Sequence, residues 1–310
     1  MPAHGEVLQG GSMKETPADT VSSDDITQRW LEGLCRRTDE VLWNSYRFAL
    51  GVPDAPWPRV MFPLKGHERR VSEQEARFAF VAALLADADA EPWAFAAEVP
   101  TRLSYRFAQR GSGVKAQRAL TDLALYRHAH DEPALAVEFK SGGRSGKSEM
   151  DESIRKDVAK VLAEQPDALW FHVVRSVNNA TLQGLLRTLD AAISRLSNPF
   201  KLSAYLAPGK TVEPRSKTIV FHICVLNPDM TASIHRVLDY VPGKPKGDFF
   251  TIETTATRTS LEIADGQGWS VYRDARPPRS PDCSGISEQV YEGDVTYWVY
   301  ENSQALRPGR

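Results

Sequence analysis

Apolar residues recur along the chain in two rhythms, and the switches between them mark out its elements. From Asp24 they fall near helical spacing as Ile26, Trp30, Leu31, Leu34, Val41, Leu42 and Tyr46, which predicts a helix to about Leu50 with Asp24 or Asp25 as N-cap. A Pro-rich run over 51–63 ends it. Ser72-Glu-Gln-Glu75 has the form of a capping box, and Phe78, Val81, Ala82, Leu84 and Leu85 behind it predict a second helix to about Ala88. Three strand-like runs follow, over 95–107, 118–126 and 134–140. Pro100 sits near an edge of the first, and a Gly/Ser loop and a 128–133 turn join the three as an antiparallel meander.

Behind the meander, Ile154, Val158, Val161 and Leu162 predict a helix over 149–164. Residues 168–174 read as a strand, 179–196 as a helix and 218–226 as a strand. The order helix, three strands, helix, strand, helix, strand predicts an α/β fold, a mixed sheet covered by helices. Residues 1–23 are polar and without periodicity, an expected disordered tail; 24–70 form an N-terminal helical segment and linker, and 71–227 the main domain. After Asn227 the β-like runs at 234–240, 249–253, 269–272 and 295–300 are broken by Pro and Gly, a β-rich C-terminal extension over 228–310 that either continues the same domain or forms a small second one.

Composition narrows the class. A chain of 310 residues with 42% hydrophobic residues can bury a sizeable core. Cys35, Cys224 and Cys283 lie far apart without CxxC or zinc-ligand spacing, which argues against a disulfide framework or a structural zinc and fits a reducing cytoplasm. No apolar stretch approaches the roughly 20 residues of a membrane span. The net charge of −2 carries no global nucleic-acid signature, so any such binding must be local. Residues 101–160 carry 12 Lys and Arg against 8 Asp and Glu, and the balance reverses after residue 248.

That basic stretch contains the charges that most need explaining. Asp122 interrupts the apolar run 118–126, and 134–140 ends Glu138-Phe-Lys140. Charges within strand cores are costly unless paired or bound to a metal. Alternation places Glu138 and Lys140 on one face, opposite Leu135, Val137 and Phe139. Antiparallel pairing then sets Asp122 beside Glu138, and two neighbouring carboxylates stay ionised only with a cation between them. Oxygen-only ligands with open positions suit Mg²⁺, with Mn²⁺ as its substitute. Such an ion would activate a water against a phosphodiester, with Lys140 assisting. The competing reading is a cross-strand ion pair of Lys140 with Asp122 or Glu138. The Gly/Ser loop after Lys140 carries Arg144 and Lys147, which are candidates for phosphate contact.

Residues 72–176 resemble the PD-(D/E)xK nuclease superfamily, with its restriction-endonuclease-like αβββαβ core. The resemblance implies that Asp122 and Glu138 bind the divalent metal and that Lys140 serves the attacking water; Thr121 stands where the family's Pro would be. It further implies roles for Glu75 from the first helix and for Lys156 and Lys160 from the second. Glu75 also has a purely structural role open to it as the partner of Ser72, and Asp157 beside the lysines fits an ordinary solvated face. The implied activity is metal-dependent cleavage of nucleic acid, foremost DNA, with a homodimer expected if one site per chain is to cut both strands. A non-catalytic nucleic-acid or protein-binding module on the same scaffold and a hydrolase of another phosphoester are the alternatives.

Overall fold

The computed structural model describes residues 23–65, 68–87, 93–109, 113–127, 131–142, 147–212, 216–227, 230–240, 270–273, 286–292 and 295–300. The expected tail lies, apart from Ser23, outside them, as does the β-like run at 249–253. Helix α1 (Ser23–Ala49) forms where the helical rhythm predicts it. A two-residue hairpin, β1 (Leu64–Lys65) with β2 (Glu68–Arg69), leads to α2 (Glu73–Leu85). Then come β3 (Ala94–Gln109), β4 (Gly113–Tyr126) and β5 (Leu135–Ser141), followed by α3 (Lys147–Ala163) and β6 (Asp167–Arg175). Helices α4 (Asn179–Leu196) and α5 (Pro199–Ser203) precede β7 (Lys217–Asn227), β8 (Met230–Tyr240) and β9 (Ser270–Arg273). A separate hairpin pairs β10 (Ile286–Glu292) with β11 (Val295–Tyr300). No helix among the described residues is long and apolar enough to cross a membrane.

Strands β3 to β9 form one seven-stranded sheet in chain order. Its first three strands pair antiparallel, β5–β6–β7 pair parallel, and β7–β8–β9 pair antiparallel again. The parallel steps fall where α3 and the α4–α5 pair supply the crossovers that parallel strands require. Strands β6 and β7 are buried along nearly their whole length, as expected of central strands covered on both faces. Leu34, Leu42 and Phe80 from α1 and α2 pack with Val137, Phe139 and Phe171 on one face. On the other, Val158, Leu162, Leu186 and Leu189 from α3 and α4 pack with Trp170 and Phe221.

The boundary drawn at Asn227 falls inside a hairpin, because β8 pairs with β7 from Asn227↔Met230 to Lys217↔Tyr240. The expected C-terminal extension therefore begins as part of the main sheet. Helix α1 is likewise built into it: buried Asp39 accepts hydrogen bonds from His222 Nε2 on β7, at 2.9 Å, and from the Ser233 hydroxyl on β8.

Helix α2 turns a different face inward than its apolar residues suggest. Ala76, Ala79, Phe80, Ala83 and Leu84 are buried with Glu75, while Phe78 and Leu85 are 58% and 71% exposed. Buried and apolar positions diverge because small alanines let the helix approach the sheet closely, with Phe80 stacking edge-on to Phe139 at 5.6 Å.

Candidate active site

The site forms where the sheet splits. The β4–β5 ladder runs from Leu125↔Leu135 to Leu123↔Val137 and there ends. At the next position the Asp122 side chain takes over as acceptor, its Oδ2 receiving the Phe139 backbone N–H at 2.7 Å. One carboxylate thus closes the ladder and fixes Asp122 beside Glu138. On its other side Asp122 meets β3: Ala97↔Leu123 and Val99↔Thr121 place Glu98 opposite it. Glu98 adopts a left-handed φ of 55°, a conformation that costs a non-glycine residue. Arg77 of α2 spans the two acids, 3.7 Å from Glu98 and 3.6 Å from Asp122.

Glu138 is only 3% exposed and its counter-ion is Lys160 of α3, whose Nζ donates to Oε2 at 2.5 Å and to the Leu120 carbonyl at 3.1 Å. Lys160 Nζ also lies 3.5 Å from Asp157 Oδ1. The other Asp157 oxygen stands 3.1 Å from Lys140 Nζ, and Glu73, in the first turn of α2, stands 3.4 Å from it. Asp157, Lys160 and Glu164 form a polar stripe along α3 at i, i+3 and i+7. Glu164 ends the stripe by accepting from the Arg102 and Leu103 amides and the Tyr105 hydroxyl, at 2.9, 3.1 and 2.7 Å. Lys217 Nζ meanwhile donates to the Val161 and Glu164 carbonyls at the C-terminal end of α3. The helix that supplies Asp157 and Lys160 is therefore anchored at its end to both β3 and β7.

These surroundings set the charges. Burial pushes the Glu138 carboxyl up to about 8; the Lys160 ammonium opposes that rise, and Asp157 and Asp122 add to it. Burial alone would lower the Lys140 pKa, but Asp157 and Glu73 outweigh it and hold the ammonium above its usual range. The same balance, with Glu138 and Asp157 as partners, raises Lys160. His172, paired with Lys140 across β5–β6, is held neutral by burial at about 4, and its Nε2 donates to the Gly142 carbonyl at 2.7 Å. It fixes the first residue of the loop after Lys140.

The geometry brings Asp122, Glu138, Lys140 and Lys160 together. It does not bring in Glu75, whose Oε2 accepts from the Ser72 amide at 2.8 Å and from the Ser72 hydroxyl; the acid of α2 that reaches Lys140 is Glu73. The competing reading, an ion pair of Lys140 with Asp122 or Glu138, gives way to pairing with Asp157 and Glu73. Lys160 and Asp157 do not lie on a solvated face, since both are buried. Lys156, half-buried, stands 3.9 Å from Glu152. Arg144 and the side chain of Lys147 lie outside the described residues. Sequence reasoning overlooked Glu73, Arg77 and the internal role of Asp157. The signal for Asp157 was the acid–base–acid stripe flanking Ile154, Val158 and Val161.

Whether these groups suit a divalent cation can be judged from their donors. Asp122 and Glu138 are hard oxygen ligands on adjacent strands, and the buried Glu138 carboxylate needs a positive partner. A Mg²⁺-type ion at this point would draw on Asp122 and Glu138, with water left to supply its remaining ligands. Among the described residues no group of three or more His, Cys, Asp or Glu side chains is arranged to hold a metal, and Lys160 supplies the positive charge at Glu138. No family model matches the sequence, and a search among curated proteins finds no match. The fold and the site define the class as far as it goes: an α/β protein with a mixed open sheet flanked by helices and a buried acid–lysine cluster where that sheet splits.

Proposed function

We propose that the protein is a metal-dependent nuclease of the restriction-endonuclease-like type that hydrolyses DNA phosphodiester bonds. The observation that carries this reading is the junction of β4 and β5, where two carboxylates and a lysine converge at the end of a paired stretch, 123–125 with 135–137, that is wholly apolar. Asp122 and Glu138 would hold Mg²⁺ or Mn²⁺, which would lower the pKa of a bound water and offset charge on the phosphate. Lys140 remains an ammonium beside Asp157 and Glu73, so its part is to orient the attacking water and stabilise developing negative charge rather than to accept the proton. Asp122 also keeps the two strands in register for this, through the Phe139 amide. The attacking water gives up a proton to solvent as its oxygen bonds to phosphorus, one P–O ester bond breaks, and the departing oxygen takes up a proton from solvent.

Incubating plasmid and linear DNA with Mg²⁺ or Mn²⁺, with EDTA controls, tests the assignment. Lys140→Ala and Asp122→Asn are each expected to lower the cleavage rate by about 100-fold or more. Cleavage by these variants at the wild-type rate would refute the roles given. A second reading, a non-catalytic nucleic-acid or protein-binding module, draws on the pairing of Glu138 with Lys160 inside the chain, which lets the cluster serve as structure. Salt-dependent DNA binding without cleavage under either metal, and no stabilisation of the fold by Mg²⁺, would favour it.

A further inference from the structure

Three acids, Glu138, Asp157 and Glu73, share the two lysines Lys140 and Lys160, and the sharing is uneven. Lys160 makes its short contact, 2.5 Å, with Glu138 and a looser one, 3.5 Å, with Asp157. Asp157 is meanwhile within 3.1 Å of Lys140 through its other oxygen. Glu138 and Lys160 are both buried, so neither can exchange its partner for bulk water at low cost. Anything that takes Glu138 from Lys160 must bring positive charge, and Lys160 must find another anion. Asp157 is already within reach.

We propose that Lys160 is an internal counter-ion that stands in for the divalent cation at Glu138, and that Asp157 is the position to which it withdraws when the cation binds. This rests on the metal-binding reading of Asp122 and Glu138 and adds a regulation of that site. Lys160 keeps the cluster neutral enough to fold without metal and sets a threshold of metal concentration for loading. Asp157 lowers the threshold by receiving the displaced ammonium one helical turn from where Lys160 is rooted. The Leu120 carbonyl, which accepts from Lys160 at 3.1 Å, adds to the hold on the metal-free arrangement.

The consequences for divalent binding have opposite signs in different variants, which a purely structural role for Lys160 does not give. The test measures the Mn²⁺ and Mg²⁺ concentrations that half-saturate the full chain, without DNA, by calorimetric titration, and checks them against the logarithmic rise of its thermal midpoint with metal concentration. Lys160→Met, which removes the competitor, should melt below wild type without metal, and should half-saturate at about tenfold lower Mn²⁺, a difference of about 1.4 kcal/mol. Asp157→Asn, which removes the receiving anion, should require more Mn²⁺ than wild type. Lys160→Arg keeps the charge needed for folding and can grip a carboxylate with two parallel hydrogen bonds, so it too should require more; it keeps the test decisive if Lys160→Met does not fold.

Unchanged half-saturation in Lys160→Met and Lys160→Arg, while the wild type responds to metal and cuts DNA, would overturn this inference and leave the nuclease assignment standing. Absence of any metal response in the wild type and in Lys160→Met would overturn both. The expected shifts in proteins that cut no DNA would uphold the exchange and remove only the substrate assignment.

Discussion

Glu138 is buried on β5 against Lys160, and that burial governs both its partner and its titration. Its place in an apolar run, two residues before Lys140, marked it as a charge in need of a partner, and alternation put it on the correct face. The partner could not be read, because Lys160 lies 22 residues away and meets Glu138 only through the rotational phase with which α3 settles on the sheet. That phase follows from packing by Val158 and Leu162, not from the charges. The burial that calls for a partner has a consequence for stability. Burial raises its carboxyl from the ordinary 4.5 towards about 8 against the pull of the Lys160 ammonium, so as the pH falls folded Glu138 takes up a proton, and gives up the charge that pairs with Lys160, before the unfolded chain does. Its contribution to stability is full below about 4.5 and is lost as the pH rises through about 8. The thermal midpoint of wild type without metal should fall across that window relative to Glu138→Gln, which does not titrate. Parallel midpoint-against-pH curves for the two proteins would contradict it.

At the scale of elements, periodicity located α1, α2, the meander, α3, β6, α4 and β7 because each carries a run of apolar residues long enough to reveal its period. It failed for the orientation of α2. Phe78 and Leu85 face outward, while the sheet takes Phe80 and Leu84 together with Ala76, Ala79 and Ala83, whose small side chains allow close approach. It also failed for the end of α3, where the anchoring atoms are backbone amides of another strand. Glu164 accepts from the Arg102 and Leu103 amides and the Tyr105 hydroxyl, which satisfies the backbone left open by the irregular pairing of β3 with β4 between Pro100 and Ser104. Glu164→Ala removes one acceptor and strands three buried or half-buried donors, at about 3 kcal/mol or more in total. The expected signature is a lower thermal midpoint with faster hydrogen exchange at Arg102 and Leu103, while the α2 amides keep wild-type protection. Exchange unchanged at those two amides would rule out the anchoring role. Ser72→Ala, by contrast, loses a cap hydroxyl and should cost about 1 kcal/mol.

At the scale of the molecule, the weak signals after Asn227 hid the fact that the sheet continues. Strand β8 gives a weaker apolar signal than the central strands because three of its buried residues are polar or charged: Ser233, His235 and Arg236. These pin other layers to the sheet. Ser233 donates to Asp39, His235 Nε2 stands 3.7 Å from Glu32, and Arg236 pairs with Asp190, so β8 holds α1 on one face and α4 on the other. A chain cut after Asn227 would leave β7 as an edge strand with its apolar residues uncovered, and would strip Asp39 of one of its donors. The fragment 1–227 should therefore lack a cooperative thermal transition or precipitate, although it contains every residue of the candidate site. The fragment 1–240, which restores β8, should regain the transition, followed by circular dichroism at matched concentration. Cooperative unfolding of 1–227 at the midpoint of 1–240 would mean that the candidate site is supported by β3 to β7 and their helices alone, and that β8 is dispensable to it.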